Sequence, residues 1–283
     1  MQKTILPKLI GYYLSVTAWV KPSYAGAKAL QIFGTPRRGK LRPKDVAYLD
    51  TFVHSKVPYL QHEIQLYTKG TGPLHILLLH GWESNSARWK HALDYIEKKI
   101  DCTIYMIDAP AHGGSSGKEF NSILYAQYIH TILQQYSIDV LIGHSIGAGS
   151  IAYCLSEIAA YPKAKLIIMG SPNTFTEIMN TYIKIIGLGK TAQRAMKKAI
   201  VHKYNLKHSD YVVAHYASNI KNETLIIHDI NDNVSPIINA RHIAEAIPTA
   251  QQYITHDYGH SLQSHSVFKR MVSFIMGEVM QQK

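Results

Sequence analysis

From residue 62 onward the chain alternates short apolar runs of strand length with longer stretches whose apolar residues recur at helical spacing. The runs are "HILLLHG" (75–81), "TIYMIDA" (103–109), "VLIGHS" (140–145), "KLIIMGS" (165–171), "TLIIHD" (224–229) and "AQQYIT" (250–255). Most are continuously apolar, which at this length calls for burial on both faces. Parallel strands meet that requirement when helices cover each side of their sheet. The intervals supply the helices, among them "SARWKHALDYIEKKI", "NSILYAQYIHTILQQYS", "GAGSIAYCLSEIAAY", "INARHIAEAI" and "SVFKRMVSFIMGEVM". This alternation predicts an α/β protein with a mostly parallel sheet flanked by helices. Ahead of the runs, "EIQLYTKG" alternates apolar and polar residues as an edge strand does, so the sheet is expected to begin near residue 62.

Two segments fall outside the alternation. Residues 1–61 precede it and read as a helical, basic N-terminal extension, and the interval 173–222 is far longer than a single crossover helix. That interval opens on Thr174-x-x-Glu177, the spacing of a capping box, and continues in helix-compatible runs broken at "GLGK". It reads as an inserted helical cap. The core would then comprise 62–172 and 223–283, and a chain of 283 residues that is 46% hydrophobic has ample material to build it.

The formal charge of +11 is unevenly spread. Residues 1–61 carry ten Lys/Arg against two acids, and residues 174–222 carry eight against two, which leaves the core slightly negative. No nucleic-acid recognition motif accompanies this charge, so nucleic acid is not an expected partner. The simplest account is solubility and a solvated helix face. A sharper one is attraction of an anionic substrate or of an anionic membrane surface, with Leu9, Trp19 and Val20 placed for shallow insertion. "LIGYYLSVTAWV" is interrupted by polar residues and falls short of the ~20 apolar residues that span a bilayer. It also makes a poor signal-peptide core, so the expected location is the cytoplasm. Cys102 and Cys154 fall in a strand-like and a helix-like run and read as buried thiols of a reducing compartment. The sixteen histidines are scattered, with no HExxH and no paired Cys/His spacing, so no metal is expected.

In an open α/β sheet, ligands bind at the carboxyl ends of the strands. The residues that follow the runs are "HGW", "DAPAHGGSSG", "GHSIG", "INDNVSP" and "DYGHS". The third contains Gly143-His144-Ser145-Ile146-Gly147, where glycines without Cβ atoms allow a serine to sit on a tight strand-to-helix turn. Alone, this pentapeptide is also compatible with a plain turn of small residues. It is neither a dinucleotide loop nor a P-loop, since G-x-G-x-x-G and Gly-Lys-Ser/Thr are both missing. A serine becomes a useful nucleophile only beside an imidazole that a carboxylate orients, and the later motifs offer both group types.

Taken in order, these motifs resemble those of the α/β-hydrolase family over residues 62–283. The resemblance implies Ser145 as nucleophile, Asp232 as the orienting acid and His260 as the base, with the backbone N–H groups of Ile146 and Trp82 holding an oxyanion. Asp229 is the alternative acid, and His256 and His265 compete with His260. The implied chemistry is acyl transfer from a small-molecule substrate to water, without a cofactor: ester hydrolysis first, with thioester or carbon–carbon bond cleavage on the same site as variants. A non-catalytic ligand-binding module is the reading from another class. Asp108 and Ser115 match residues that hold a loop in the family, His112 a turn or pocket wall, and Trp82 and Trp89 either line the pocket or pack.

Overall fold

The structure is a computed structural model that describes residues 2–161 and 163–278. It begins with helices α1 (Gln2–Val20), α2 (Pro22–Gly34) and α3 (Pro43–Leu49), followed by strands β1 (Val53–Tyr59), β2 (His62–Lys69) and β3 (Leu74–Leu79). Next come α4 (Lys90–Ile96), β4 (Cys102–Ile107), α5 (Ser122–Gln135), β5 (Val140–His144), α6 (Ile146–Tyr153) and β6 (Lys165–Met169). The chain continues through α7 (Phe175–Ile186), α8 (Lys190–Tyr204), α9 (Val213–Ala217), β7 (Thr224–Asp229), α10 (Ile238–Ala246), β8 (Gln251–Thr255) and α11 (His265–Ile275).

The eight strands form one sheet in the order β1-β2-β4-β3-β5-β6-β7-β8. The first two pairings are antiparallel and the other five parallel. Every residue of β4, β5 and β7 is buried, as continuous apolar runs require. Successive side chains alternate between the two faces. Ile76, Leu78, Ile104, Met106, Ile142, Ile167 and Ile227 join a core with Trp89 of the turn before α4, Leu93 and Ile96 of α4, and Val267 and Met271 of α11. Their neighbours Leu77, Leu79, Leu141, Leu166, Ile168 and Ile226 are equally buried. Helices α5, α6, α9 and α10 pack with one another, α6 also against β5 and α10 against β7.

The division of the chain differs from the one its sequence suggests. Residues 1–35 and 174–212 form one compact helical unit, and 36–173 with 213–283 form the other. Residues 36–61 thus belong with the sheet, and β1 rather than β2 is its outer strand. β1 escapes a sequence reading because only Val57 of its "VHSKVPY" is buried, so it shows no apolar run. Residues 213–222, including α9, also lie with the sheet rather than with the insertion.

The helical unit has its own core: Leu14 and Ala18 of α1, Ala25, Ala29 and Leu30 of α2, Met179 and Ile186 of α7, Leu188, and Ala192, Met196 and Ile200 of α8. Its local punctuation follows the sequence. The Thr174 hydroxyl accepts the Glu177 N–H at 3.1 Å as the N-cap of α7, and Gly187 closes that helix in the left-handed conformation that glycine tolerates best. Ser15 of α1 accepts the Gly189 N–H at 2.8 Å and donates to the Gly11 carbonyl at 2.6 Å, tying α1 to the turn between α7 and α8.

Candidate active site

Ser145 stands on the turn between β5 and α6 with φ 55° and ψ −125°, a backbone conformation that costs a residue with a Cβ roughly 1–3 kcal/mol. The surrounding structure holds it there. The Ser145 N–H donates to the Met169 carbonyl of the neighbouring strand at 2.8 Å, and its own carbonyl accepts the Ala148 N–H at 3.0 Å. A Cβ on Gly147 would lie 2.7 Å from the His80 carbonyl oxygen, and one on Gly143 would lie 2.6 Å from the Ala148 Cα, so both flanking glycines are sterically required. Although Ser145 is the N-cap of α6, its hydroxyl does not cap the helix. It faces His260 instead, with Nε2 at 3.0 Å. Ser145 is only 9% exposed, so the hydroxyl does not stand open at the sheet edge as the turn alone suggests; Gly81 and the His260 ring lie against it.

His260 lies in a short 3-10 turn, Gly259–Ser261, beyond β8, and Asp232 in the loop after β7. The Asp232 Oδ2 accepts from His260 Nδ1 at 2.7 Å, while its Oδ1 accepts the Val234 and Ser235 N–H groups at 2.8 and 2.9 Å. Burial alone would raise this carboxyl, but the His260 hydrogen bond and the backbone amides hold it below the usual carboxylate range. Because Asp232 is ionised, Nδ1 carries the proton toward it and Nε2 is left to accept from Ser145.

The competing residues lie elsewhere. Asp229 accepts from the Asn231 and Tyr258 N–H groups at 2.9 Å and from the Thr255 hydroxyl at 2.7 Å, a loop-holding role. His256 is exposed just past β8, and His265 stacks edge-on against Tyr95 at the start of α11. Trp89 is fully buried in the core. Trp82 packs edge-on against His112 and Phe120. Asp108 is fully buried and accepts from the Ser86 N–H and hydroxyl, the Tyr67 hydroxyl and the Gly114 N–H, while Ser115 donates to its carbonyl at 2.6 Å. Cys102 and Cys154 are buried free thiols, pushed up by burial to about 11 and about 12. Among the described residues no cluster of three or more His, Cys, Asp or Glu is placed to hold a metal ion.

Sequence reasoning overlooked two histidines beside the site. His144 donates from Nε2 to the His260 carbonyl at 2.7 Å, and the two rings lie 4.9 Å apart. Its Nδ1 is buried without a partner, and burial, reinforced by the Arg88 charge, holds the ring well below the usual histidine range, so it is neutral. His80 accepts the Ala109 N–H on Nε2 at 2.9 Å, which leaves Nδ1–H to donate to the Gly81 carbonyl at 2.8 Å. Burial, then the neighbouring His112, pushes it down to about 4. Both histidines lie within motifs at strand ends, "GHS" and "HGW", but neither carries a spacing that distinguishes it from a core residue. Ile146 is the first residue of α6, so its N–H is among those that a helix leaves without an intrahelical acceptor.

A sheet of this order, with a serine on a strained turn after β5 and a carboxylate and a histidine after β7 and β8, is the α/β-hydrolase fold. Residues 75–186 match the family model described as alpha/beta hydrolase fold. Solved structures agree with that fold. A bromoperoxidase from Bacillus anthracis superposes with a TM-score of 0.61 at 15% identity, over 80% of this chain and 100% of its own. An esterase from Exiguobacterium antarcticum gives 0.61 at 16% identity, over 79% and 100%. A meta-cleavage product hydrolase from Pseudomonas fluorescens gives 0.58 at 16% identity, over 79% and 97%. Their names span different reactions on one fold, so the chemistry of this chain has to be argued from its site.

Proposed function

We propose that this chain is a serine hydrolase that cleaves a carboxylic ester through an acyl-enzyme. The observation that carries the reading is the continuous hydrogen-bonded line from Ser145 Oγ to His260 Nε2, 3.0 Å, and from His260 Nδ1 to Asp232 Oδ2, 2.7 Å. In the first half-reaction the Ser145 oxygen attacks the ester carbonyl carbon and its proton passes to His260 Nε2. The carbonyl oxygen becomes an oxyanion, held by the N–H groups of Ile146 and Trp82. His80 supports the second donor: by taking the Gly81 carbonyl it fixes the plane of the peptide whose N–H belongs to Trp82. Collapse breaks the bond to the alcohol, which leaves with the proton from Nε2. In the second half-reaction a water gives its proton to Nε2 and attacks the acyl carbon. The acid departs and Ser145 recovers its proton. Water is the only co-reactant in this cycle.

Three features favour catalysis over a ligand-binding module. Ser145 is held in a strained backbone conformation, its hydroxyl is turned away from helix capping, and Asp232 is kept ionised. Thioester or carbon–carbon bond cleavage would use the same groups, and an acyl-substrate panel separates these from ester hydrolysis. The test of the central step is Ser145→Ala, which removes one oxygen from a turn that the backbone holds. Hydrolysis of a small activated ester should fall ~10⁴- to 10⁶-fold with the melting temperature unchanged. Retention of wild-type turnover would refute the mechanism.

A further inference from the structure

The α1 helix is apolar on both faces. Its inner face, with Leu14 and Ala18, is buried in the helical unit. The outer face carries Ile5, Leu6, Leu9, Tyr12, Tyr13, Val16, Trp19 and Val20, all more than half exposed, with Trp19 and Val20 at 80%. At 100° per residue these eight side chains fall in one sector about 140° wide that runs from residue 5 to residue 20, roughly 22 Å. From residue 5 to residue 20 that sector contains no charged side chain. A stripe of this size is unusual on a free surface and marks an interaction site.

The charge of the unit that carries the stripe points to what it meets. The helical unit, residues 1–35 and 174–212, holds eleven Lys/Arg against two Asp/Glu, so most of the chain's +11 resides there. Helices α1, α2 and α8 contain no acidic residue, and α8 alone carries Lys190, Arg194, Lys197, Lys198 and Lys203. A second copy docking on this face would bring two such cationic units together. An anionic surface would instead be attracted to both the charge and the apolar stripe. The stripe also has the composition suited to the boundary of a bilayer, with Tyr12, Tyr13 and Trp19 among aliphatic side chains, and among the described residues no helix is long and apolar enough to cross a membrane. We infer that the outer face of α1 is an interfacial surface that seats the protein on an anionic lipid bilayer, its apolar side chains entering the headgroup boundary and the basic residues of the same unit facing the lipid phosphates.

Full-length protein mixed with phosphatidylcholine vesicles containing 30% phosphatidylglycerol should cosediment. Binding to pure phosphatidylcholine should be at least tenfold weaker, and raising salt should weaken the former. The variant Leu9→Ser/Val16→Ser/Trp19→Ser should lose at least tenfold in partitioning while keeping the wild-type melting temperature. A readout that needs no destabilising change is the fluorescence difference between wild type and Trp19→Phe, which should be quenched by brominated phosphatidylglycerol chains. Unquenched Trp19 emission, equal binding to neutral and anionic vesicles, or binding that the triple variant retains would each overturn the inference. So would a dimer in sedimentation velocity that the triple variant dissociates, since a second copy would then be what covers the stripe.

Discussion

A histidine can act as a base toward Ser145 only if its other nitrogen is held as a donor, and Asp232 is what holds it. Asp232→Asn should therefore lower kcat ~10³- to 10⁴-fold with little change in KM, by favouring the wrong tautomer. Asp229→Asn, which touches the loop at Thr255 and Tyr258, should change kcat less than tenfold. A steady-state comparison of the two variants decides between the acids, and a larger loss for Asp229→Asn would reverse the assignment. Part of this site is legible in the sequence: the glycines around Ser145 follow from what a tight turn requires, and the order serine, acid, histidine is readable through the resemblance to the α/β-hydrolase family. The roles of His144 and His80 are not. Each depends on which carbonyl a ring nitrogen meets across the fold, His260 in one case and Gly81 in the other, and no local spacing encodes that.

Elements whose burial is uniform along their length announce themselves, and those buried on few positions do not. Five of the six parallel strands are visible as apolar runs, whereas β8 is buried only at Thr255 and β1 only at Val57, and β1 becomes a strand only because β2 offers it a partner edge. The pairing of α1 and α2 with α7 and α8 is likewise invisible to local pattern, because their contacts span over 150 residues of chain, as in the Ser15 bond to Gly189 and the Tyr182 bond to Ala29. The helical unit should respond to loss of that bond. Ser15→Ala leaves the partly buried Gly189 N–H without its acceptor, which should destabilise by about 1–3 kcal/mol, read as a lower urea midpoint. An unchanged midpoint would mean that this hydroxyl does not contribute to holding α1 in place.

At the scale of the whole molecule, four buried histidines make stability depend on pH. Burial lowers His80, His112, His144 and His228 in the folded state, His80 to about 4. Below the ordinary histidine value of ~6.5 the unfolded chain takes up protons that the folded chain refuses, so stability is intact above it and is lost as pH falls toward the folded values. Each group withdraws up to about 1.4 kcal/mol per pH unit in that window. Calorimetry should show the melting temperature falling steadily from pH 7 to pH 5, and a flat profile would mean that these rings are not held neutral. Catalysis by Ser145 is tested most directly by a covalent probe. Incubation of the intact protein with a fluorophosphonate should add one phosphonyl group, which peptide mapping should place on Ser145, and His260→Ala should slow the addition at least a hundredfold. No adduct on the folded wild-type protein, or an adduct on another residue with Ser145 untouched, would contradict the account.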